Sequence, residues 1–277
     1  MGRQNMTTKQ TVGVIGAGRM GTPIIGHLAR KGWATLACDV DAARKDAVTQ
    51  CGARWAADSA SLAAASEAIL VCVGYDSEVR TLLSDGGALR KAKPGTIIAI
   101  LSTVHPKTVQ DLALECGAAG LHVVDSTVCR GGEAADQGTL LSFVGGSAEV
   151  VERLTPVLRA YSADVVHTGG VGTAQVAKAV NNLILWACLV ADHEGLALAK
   201  HYGADIDALR KALLISSCAN GPLEKWGTQT MAWAEDDMAI VAEMAAEAGI
   251  ALPQAGVNRE ICRALKPRRY KLESYGR

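Results

Sequence analysis

Hydrophobic positions divide the chain into a first part built from short apolar runs and a second part with helical spacing. Each short run has the length of a strand, is rich in β-branched residues, and alternates with a longer amphipathic segment. This alternation predicts an α/β fold with a parallel sheet covered by helices. The predicted strands are 11–15, 34–38, 68–73, 96–101, 122–128, 140–144 and 165–167.

The stretch from Gly169 to Lys200 stands apart, because a glycine-rich turn leads into a long apolar run without proline. Lys178 and Asn182 are four residues apart and share one helical face, with Gln175 one turn before them. A lysine among apolar residues costs free energy unless it has a partner or a function. Lys178 therefore either faces a functional site or extends its amine to solvent from an ordinary helix.

The pattern after this long helix is helical throughout, with helices predicted at 207–214, 223–231, 237–248 and 254–265. The basic tail from Lys266 on is expected to be a frayed, solvated terminus. We predict two domains joined by the long helix. Residues 1–168 are predicted to form the α/β domain, and residues 169–277 are predicted to form an all-α domain.

A glycine-rich motif lies between the first predicted strand and the first amphipathic segment. Its first glycine permits a tight turn, its second lets the backbone approach a pyrophosphate, and its third lets the helix pack on the strand. The amides at a helix N-terminus then face the phosphates. This context favours a dinucleotide site over a glycine turn without a ligand. The motif consists of Gly16, Ala17, Gly18, Arg19, Met20 and Gly21.

An acidic residue, Asp39, ends the second predicted strand, 18 residues after Gly21. A carboxylate at this position binds the hydroxyl groups of the adenosine ribose and repels a 2′-phosphate. The sequence therefore predicts NAD as the cofactor. Arg44 lies close by in the sequence and leaves NADP possible.

Further cofactor contacts are expected at the carboxyl ends of the next two strands, where open parallel sheets bind their ligands. Val73 and Gly74 follow one strand, and Ser102 and Thr103 follow the other. Thr103 is a contact to the nicotinamide side or, alternatively, the cap of the helix that begins near Pro106. His105 is interpreted as a solvated loop residue rather than as a catalytic base.

A second glycine-rich loop follows the strand at 122–128 and is predicted to bind an anion. Glycines beside a strand end leave backbone amides open, and the planar guanidinium of Arg130 suits a carboxylate, sulfonate or phosphate. The alternative is a surface arginine that pairs with Glu133 or Asp136. The predicted substrate-binding residues of this loop are Cys129, Arg130, Gly131 and Gly132.

Composition narrows the class of protein. The formal net charge is zero, which does not favour nucleic acid or an anionic membrane as a partner. The eight cysteines are scattered without a CxxC pair, so we expect neither a metal site nor a disulfide framework. The start has no apolar signal core, and the longest apolar stretch, 182–191, is too short to span a bilayer. We expect a soluble cytoplasmic protein.

Four ordered motifs resemble those of the β-hydroxyacid dehydrogenases, the family that contains 3-hydroxyisobutyrate dehydrogenase and related semialdehyde reductases. The resemblance covers nearly the whole chain. Residues 16–21 match the cofactor loop GxGxMG, and residues 125–138 resemble the substrate loop DxPVSGGxxxAxxG. Residues 172–182 resemble the catalytic segment GxxxxxKxxNN, and residues 236–239 lie where the family has KDxxLA.

This resemblance implies a Rossmann-type domain, a helical domain similar to that of 6-phosphogluconate dehydrogenase, and a substrate cleft between them. Lys178 would be the catalytic acid–base group and Asn182 would orient it. The chain would transfer a hydride between NAD(P) and a small anionic hydroxy acid or aldehyde, whose anionic end the 129–132 loop would hold. We also expect a homodimer or homotetramer formed through the helical domains.

The chain departs from the family pattern at three places. Thr127 replaces the loop proline, Cys129 and Arg130 replace the loop serine and the glycine after it, and Asp236 replaces a lysine. The last two changes move positive charge toward the substrate loop, with Arg130 either binding the substrate or pairing with Asp236. Two alternatives stay open, an imine or ketimine reductase and a catalytically silent dinucleotide-binding protein. Lys178 argues against the first, because imine reductases generally replace this lysine.

Overall fold

Six strands form a parallel sheet in the order β3-β2-β1-β4-β5-β6, the doubly wound arrangement in which ligands bind where the strand order reverses. The computed structural model describes residues 10–275. The prediction of a Rossmann-type α/β fold for the first part of the chain is confirmed. The six strands are β1 Thr11–Ile15, β2 Ala34–Cys38, β3 Arg54–Trp55, β4 Ala68–Val71, β5 Ile97–Ile100 and β6 His122–Asp125.

Three further strands extend the sheet beyond β6, and this part of the sheet is mixed rather than parallel. They are β7 Val128–Cys129, β8 Leu140–Gly145 and β9 Ser162–Gly169. Strand β8 runs antiparallel to β6 and β7 and parallel to β9. The predicted strand at 122–128 is in fact divided between β6 and β7, and β3 was missed because two residues carry no periodicity.

Helices cover both faces of this sheet and bury a separate apolar core on each. The β-branched residues of the central strands are fully buried on both faces, as expected for a parallel sheet. The helices are α1 Gly21–Arg30, α2 Lys45–Gln50, α3 Ser59–Ala65, α4 Asp76–Leu83, α5 Pro106–Gly117, α6 Gly131–Gln137 and α7 Ala148–Leu158.

The long helix α8 runs from Thr173 to His201, 29 residues, as its apolar pattern predicts. The chain divides into two units within this helix, after Lys178. By length and composition α8 is the one helix among residues 10–275 that could cross a membrane, so the expectation based on 182–191 alone underestimated the apolar segment. A core helix passes the same test, and Trp186 and Leu189 of α8 belong to the core of the second unit.

Four more helices form the second unit together with the rest of α8. They are α9 Ile206–Leu213, α10 Gly221–Glu224, α11 Ala234–Ala248 and α12 Pro253–Leu265. Three of them match the predicted helices closely, but the predicted helix at 223–231 is only the single turn α10. Asn220 caps this turn by accepting a hydrogen bond from the backbone N–H of Leu223 at 2.9 Å.

The tail after α12 is not frayed within the described residues, contrary to expectation. The backbone N–H of Tyr270 donates to Nε2 of the buried His193 at 3.1 Å, and its hydroxyl donates to the carbonyl of Gln229 at 3.0 Å. Leu272 is buried in a small apolar cluster, and Tyr275 donates to Glu194 at 2.9 Å. The tail is therefore docked on α8 by groups that the composition of the segment did not reveal.

Candidate active site

The three glycines of the first motif have different physical roles. Gly16 has a φ of +97°, and a Cβ there would collide with the carbonyl of Cys72. A Cβ at Gly21 would collide with the carbonyl of Gly16, so these two glycines allow the turn and the close helix packing. A Cβ at Gly18 would meet no atom of the described residues within 4 Å, apart from its own chain neighbours. Gly18 therefore leaves the loop open to a ligand, which fits a dinucleotide pyrophosphate at the N-terminus of α1.

Asp39 lies beside this loop at the end of β2. Its Oδ2 accepts the backbone N–H of Ala17 at 2.6 Å, and its Oδ1 accepts the N–H of Asp41 at 2.9 Å. Arg44 pairs with Asp41 at 3.4 Å. The carboxylate thus has a defined place next to the glycine-rich loop, and the nearby guanidinium already has an acidic partner.

The ends of β4 and β5 meet next to the loop. The hydroxyl of Ser102 accepts the N–H of Val73 at 3.0 Å and lies 2.8 Å from the carbonyl of the same residue. The N–H of Gly74 donates to Glu78 at 2.9 Å. The structure thus brings the predicted cofactor contacts after β4 and β5 together at one edge of the sheet.

The alternative role for Thr103, capping the helix near Pro106, is wrong. The N-cap of α5 is His105, whose Nδ1 accepts the N–H of Lys107 at 3.3 Å. Pro106 is the first helical residue, so the cap is the residue immediately before it. His105 is accordingly the capping residue at the start of α5, whereas the sequence analysis interpreted it as a solvated loop residue.

Lys178 is half-buried and contacts the second glycine-rich loop. Its Nζ donates to the carbonyl of Val128 at 2.9 Å and lies 4.0 Å from Sγ of Cys129. The sequence analysis assigned this lysine and this loop to one site but predicted no contact between them. The amine has a fixed acceptor on one side and can exchange a proton with a molecule bound against the loop.

A buried carboxylate holds the start of α8, and sequence reasoning missed it as a site residue. Asp125, at the end of β6, accepts the N–H groups of Gly172 and Gln175 at 2.8 and 2.9 Å. Burial raises the pKa of Asp125, while these two amide hydrogen bonds act in the opposite direction. An acidic residue that directly follows a buried strand was the available signal. This cap fixes the first turn of the helix that carries Lys178.

The side chain of Gln175 adds a second anchor to the same turn. Its Oε1 accepts the N–H of Val104 at 3.0 Å, and its Nε2 donates to the carbonyl of Ser102 at 2.8 Å. Thr127, which replaces the loop proline, donates its hydroxyl to the carbonyl of Ala174 at 3.0 Å. The start of α8 is therefore hydrogen-bonded to the chain after β5 and after β6.

Two predicted site residues belong to the second unit. Asn182 is buried one turn after Lys178 on α8 and accepts a hydrogen bond from Asn181 at 2.9 Å. Asp236 is exposed in the first turn of α11. Its neighbour Asp237 is buried and accepts the indole N–H of Trp186 at 3.0 Å, so that carboxylate supports the helical core.

Arg130 has a partner that no sequence hypothesis named. Its guanidinium pairs with Asp164 of β9 at 2.7 Å and donates to the carbonyl of Thr139 at 3.1 Å. The residue has a φ of +83°, a left-handed conformation that explains why glycine suits this position. The predicted partner Asp136 is instead bound to Arg19 of the first motif.

Family models account for almost the whole described chain. Residues 11–170 match the NAD-binding domain of 6-phosphogluconate dehydrogenase, and residues 172–273 match the NAD-binding domain of NADP-dependent 3-hydroxyisobutyrate dehydrogenase. The two matches divide the chain just before α8, whereas the structure divides within it because the anchored first turns belong with the sheet.

Curated relatives align with most of the chain. A 2-(hydroxymethyl)glutarate dehydrogenase of Eubacterium barkeri is 29% identical over 262 residues, which are 90% of this chain and 87% of that protein. A 3-sulfolactaldehyde reductase of Escherichia coli is 26% identical and covers 90% of this chain and 88% of its own length.

Solved structures share the fold. A 3-hydroxyisobutyrate dehydrogenase of Mycobacterium tuberculosis, solved with L-serine, has a TM-score of 0.86 at 20% identity and covers 94% of this chain and 95% of its own. An imine reductase of Myxococcus stipitatus, solved with NAD+, has a lower TM-score of 0.69 at 19% identity, covering 93% of each chain. At these identities the likeness concerns the fold alone.

Proposed function

Since this chain belongs to the β-hydroxyacid dehydrogenase family and is an NAD(P)-dependent oxidoreductase, we propose that it interconverts a small anionic aldehyde and its alcohol with Lys178 as the acid–base group. The contact between Lys178 and the 129–132 loop supports this assignment most directly, because it joins the predicted proton donor to the predicted substrate loop.

The residues of this chain divide the reaction between them. A nicotinamide cofactor, when bound beside the glycine-rich loop, would supply or accept the hydride. In reduction, Lys178 donates a proton to the oxygen of the aldehyde, and in oxidation it accepts the proton of the alcohol. The carbonyl of Val128 holds the amine in place, and Asn182, one turn further along α8, is the proposed neighbour that orients the lysine.

The anionic end of the substrate is proposed to lie against the 129–132 loop. The names of both curated relatives describe an anionic molecule that carries a primary alcohol or an aldehyde. Arg130 adds positive charge to the loop, and the amides of Gly131 and Gly132 add hydrogen-bond donors. A carboxylate or sulfonate on a short aldehyde is therefore the proposed substrate class.

An imine or ketimine reductase is the weaker alternative. Imine reductases share the fold at 17–19% identity, and the curated relatives at 26–30% identity include several dehydrogenases and a reductase of hydroxy acids and aldehydes.

We also propose a cytoplasmic location for this protein, because the proposed reaction uses the cellular NAD(P) pool.

A spectrophotometric screen of NADH and NADPH oxidation tests the proposal. The panel contains short aldehydes with a carboxylate, sulfonate or phosphonate group, their neutral counterparts, and cyclic imines. We expect turnover with anionic aldehydes. Turnover of cyclic imines alone, or cofactor binding without turnover of any member, would overturn the proposal.

Replacing Lys178 tests its role in the same assay. Lys178→Ala should lower turnover by about a hundredfold or more, the usual scale of acid–base catalysis, with little change in NADH affinity. Lys200→Ala is the matched control, because Lys200 lies on the same helix and pairs with Glu273 at an exposed position. Near-normal turnover of Lys178→Ala would remove the lysine from the mechanism.

A further inference from the structure

The short helix α6, which continues directly from the 129–132 loop, depends on contacts from outside for its position. It has only seven residues, too few to be stable alone. Its first residue, Gly131, and the residues that flank it, Arg130 and Gly138, have left-handed φ values of 76°, 83° and 70°. The position of the loop therefore depends on what packs against α6.

The cofactor loop and α1 both contact α6 through polar side chains. Both guanidinium NH groups of Arg19 donate to the two carboxylate oxygens of Asp136, each at 2.7 Å. At the same end of α6, Nε2 of His27 lies 3.0 Å from the backbone carbonyls of Ala135 and Asp136. Arg19 belongs to the glycine motif itself, so one side chain joins the cofactor loop to the substrate segment.

At two glycines of the substrate segment, these side chains occupy the space that a Cβ would need. A Cβ at Gly132 would lie 2.5–2.8 Å from three guanidinium atoms of Arg19. A Cβ at Gly138 would lie 2.6–3.0 Å from the imidazole of His27. The guanidinium therefore lies flat against the backbone of Gly132, and glycine at this position makes room for Arg19 as well as for any substrate.

We propose that Arg19 is a positioning residue that fixes the substrate loop on the cofactor loop through Asp136 and Gly132. This inference rests on the proposed function, in which the 129–132 loop binds the substrate. The two-pronged geometry makes the link directional, because a guanidinium that binds both oxygens fixes the orientation of the carboxylate as well as its distance. Arg19 would then set the place of the substrate without touching it.

In an alternative account, Arg19 binds the cofactor rather than positioning the substrate loop. Its guanidinium would bind the pyrophosphate, and Asp136 would only compete for it. The two accounts differ in the response to Asp136→Asn, which leaves the arginine charge in place but removes the paired carboxylate. In the proposal this change weakens substrate binding, whereas in the rival account it strengthens cofactor binding.

Kinetics and fluorescence titration separate these accounts. For Arg19→Gln and Asp136→Asn we expect the KM for the aldehyde to rise by up to about fivefold with kcat unchanged. Asp136→Asn should also leave the Kd for NADH unchanged. The double variant should be no worse than either single variant, because both remove one interaction. Arg19→Lys, which keeps the charge, should restore part of the loss.

Hydrogen exchange measured by mass spectrometry gives a readout that needs no turnover. Amides of residues 131–138 should exchange faster in Arg19→Gln, Asp136→Asn and Gly132→Ala than in the unaltered protein. Asp111→Asn is the matched control, because Asp111 forms an exposed pair with Lys107 on α5. That control should leave exchange at 131–138 and the aldehyde KM unchanged.

The outcomes are distinct. Unchanged exchange and unchanged aldehyde KM in Asp136→Asn, or a tighter NADH Kd in that variant with no other effect, would overturn the positioning role. If the unaltered protein reduces no aldehyde of the panel, the proposed function fails, while faster exchange at 131–138 still supports the link between the two loops.

Discussion

At the scale of single residues, the site depends on how each charged group is partnered. Lys178 hydrogen-bonds a backbone carbonyl at 2.9 Å, and no carboxylate among the described residues forms an ion pair with it. Arg130 and Arg19, in contrast, each have a carboxylate partner at 2.7 Å. The positive charges of these two arginines are therefore already partly neutralised by carboxylates of the same chain.

Asp39 is expected to make NAD(H) the preferred cofactor. Its carboxylate lies beside the glycine-rich loop, where it can bind ribose hydroxyls and repel a 2′-phosphate, and Arg44 is engaged with Asp41. The ratio of kcat/KM with NADH to that with NADPH should exceed one and should fall in Asp39→Ala. Equal or better efficiency with NADPH would show that Arg44 leaves Asp41 and binds the phosphate.

The ion pair between Arg130 and Asp164 gives a two-sided test of the arginine. If Arg130 binds the anionic end of the substrate, Arg130→Ala should raise the KM for charged aldehydes and reduce their preference over neutral ones. Asp164→Asn should have the opposite effect, because it releases the guanidinium from its partner. A constant ratio between charged and neutral aldehydes in both variants would leave Arg130 a structural partner of β9.

At the scale of elements, α8 forms hydrogen bonds with other segments near both of its ends. Its start is fixed by Asp125 and Gln175, and its last turns carry the docked tail through His193 and Glu194. Tyr270 has a left-handed φ of +64°, which an ordinary side chain adopts only where surrounding contacts hold it. The tail is therefore held on the second unit by specific contacts.

His193 should make this docking sensitive to acid. Its Nδ1 lies 2.7 Å from the carbonyl of Leu189, and its Nε2 accepts the N–H of Tyr270, an arrangement that only the neutral ring allows. Burial lowers the pKa of His193 below its ordinary value of 6.5. A lowered pKa means that the stability contributed by the neutral ring is present above 6.5 and is lost as the pH falls through the folded-state pKa.

Thermal unfolding between pH 8 and 5 measures this effect. The unaltered protein should lose more Tm on acidification than His193→Gln, which cannot titrate at this position. His201→Gln, an exposed position on the same helix, should keep the steeper dependence. Asp192, whose pKa is raised by burial, titrates with the opposite sign and is common to all three proteins, so parallel curves would exclude His193 as the sensor.

At the scale of the whole molecule, exposed apolar side chains concentrate in the second unit. On α8, Ile184 and Leu198 are 58% and 61% exposed, and Tyr202, directly after the end of the helix, is 81% exposed. A run of such positions along one helix is typical of an association surface rather than of a solvated one. Together with the family resemblance, this supports assembly through the helical units, as the size of that part of the chain suggests.

We expect a dimer or tetramer in sedimentation at micromolar concentration. Leu198→Glu should shift the protein toward monomer, because an isologous interface places the new charge on both copies. Leu114→Glu is the matched control, since Leu114 is 79% exposed on α5 of the first unit and should not change the assembly. A monomer for the unaltered protein would contradict the expectation.

The sequence by itself determined what depends on local pattern. Residue spacing predicts the buried strands, the amphipathic helices and the glycine turn before α1. Hydrophobic periodicity and turn-forming residues act within a few positions of the chain, so they can be recognised without the fold. For the same reason the shared face of Lys178 and Asn182 on one helix was readable in advance. The helix at 223–231 was overestimated, since a short apolar segment has no period that distinguishes a full helix from one turn.

Only the tertiary structure decided which distant groups meet. Arg19 reaches Asp136 across 117 residues, Asp125 caps α8 across 47 and 50 residues, and Tyr270 meets His193 across 77. No local pattern encodes these pairs, because each one results from the way strands and helices pack around a common core. The chemistry of the residues was therefore visible in the chain, whereas the choice of partner for Arg19, Asp125 and Arg130 was made by the fold.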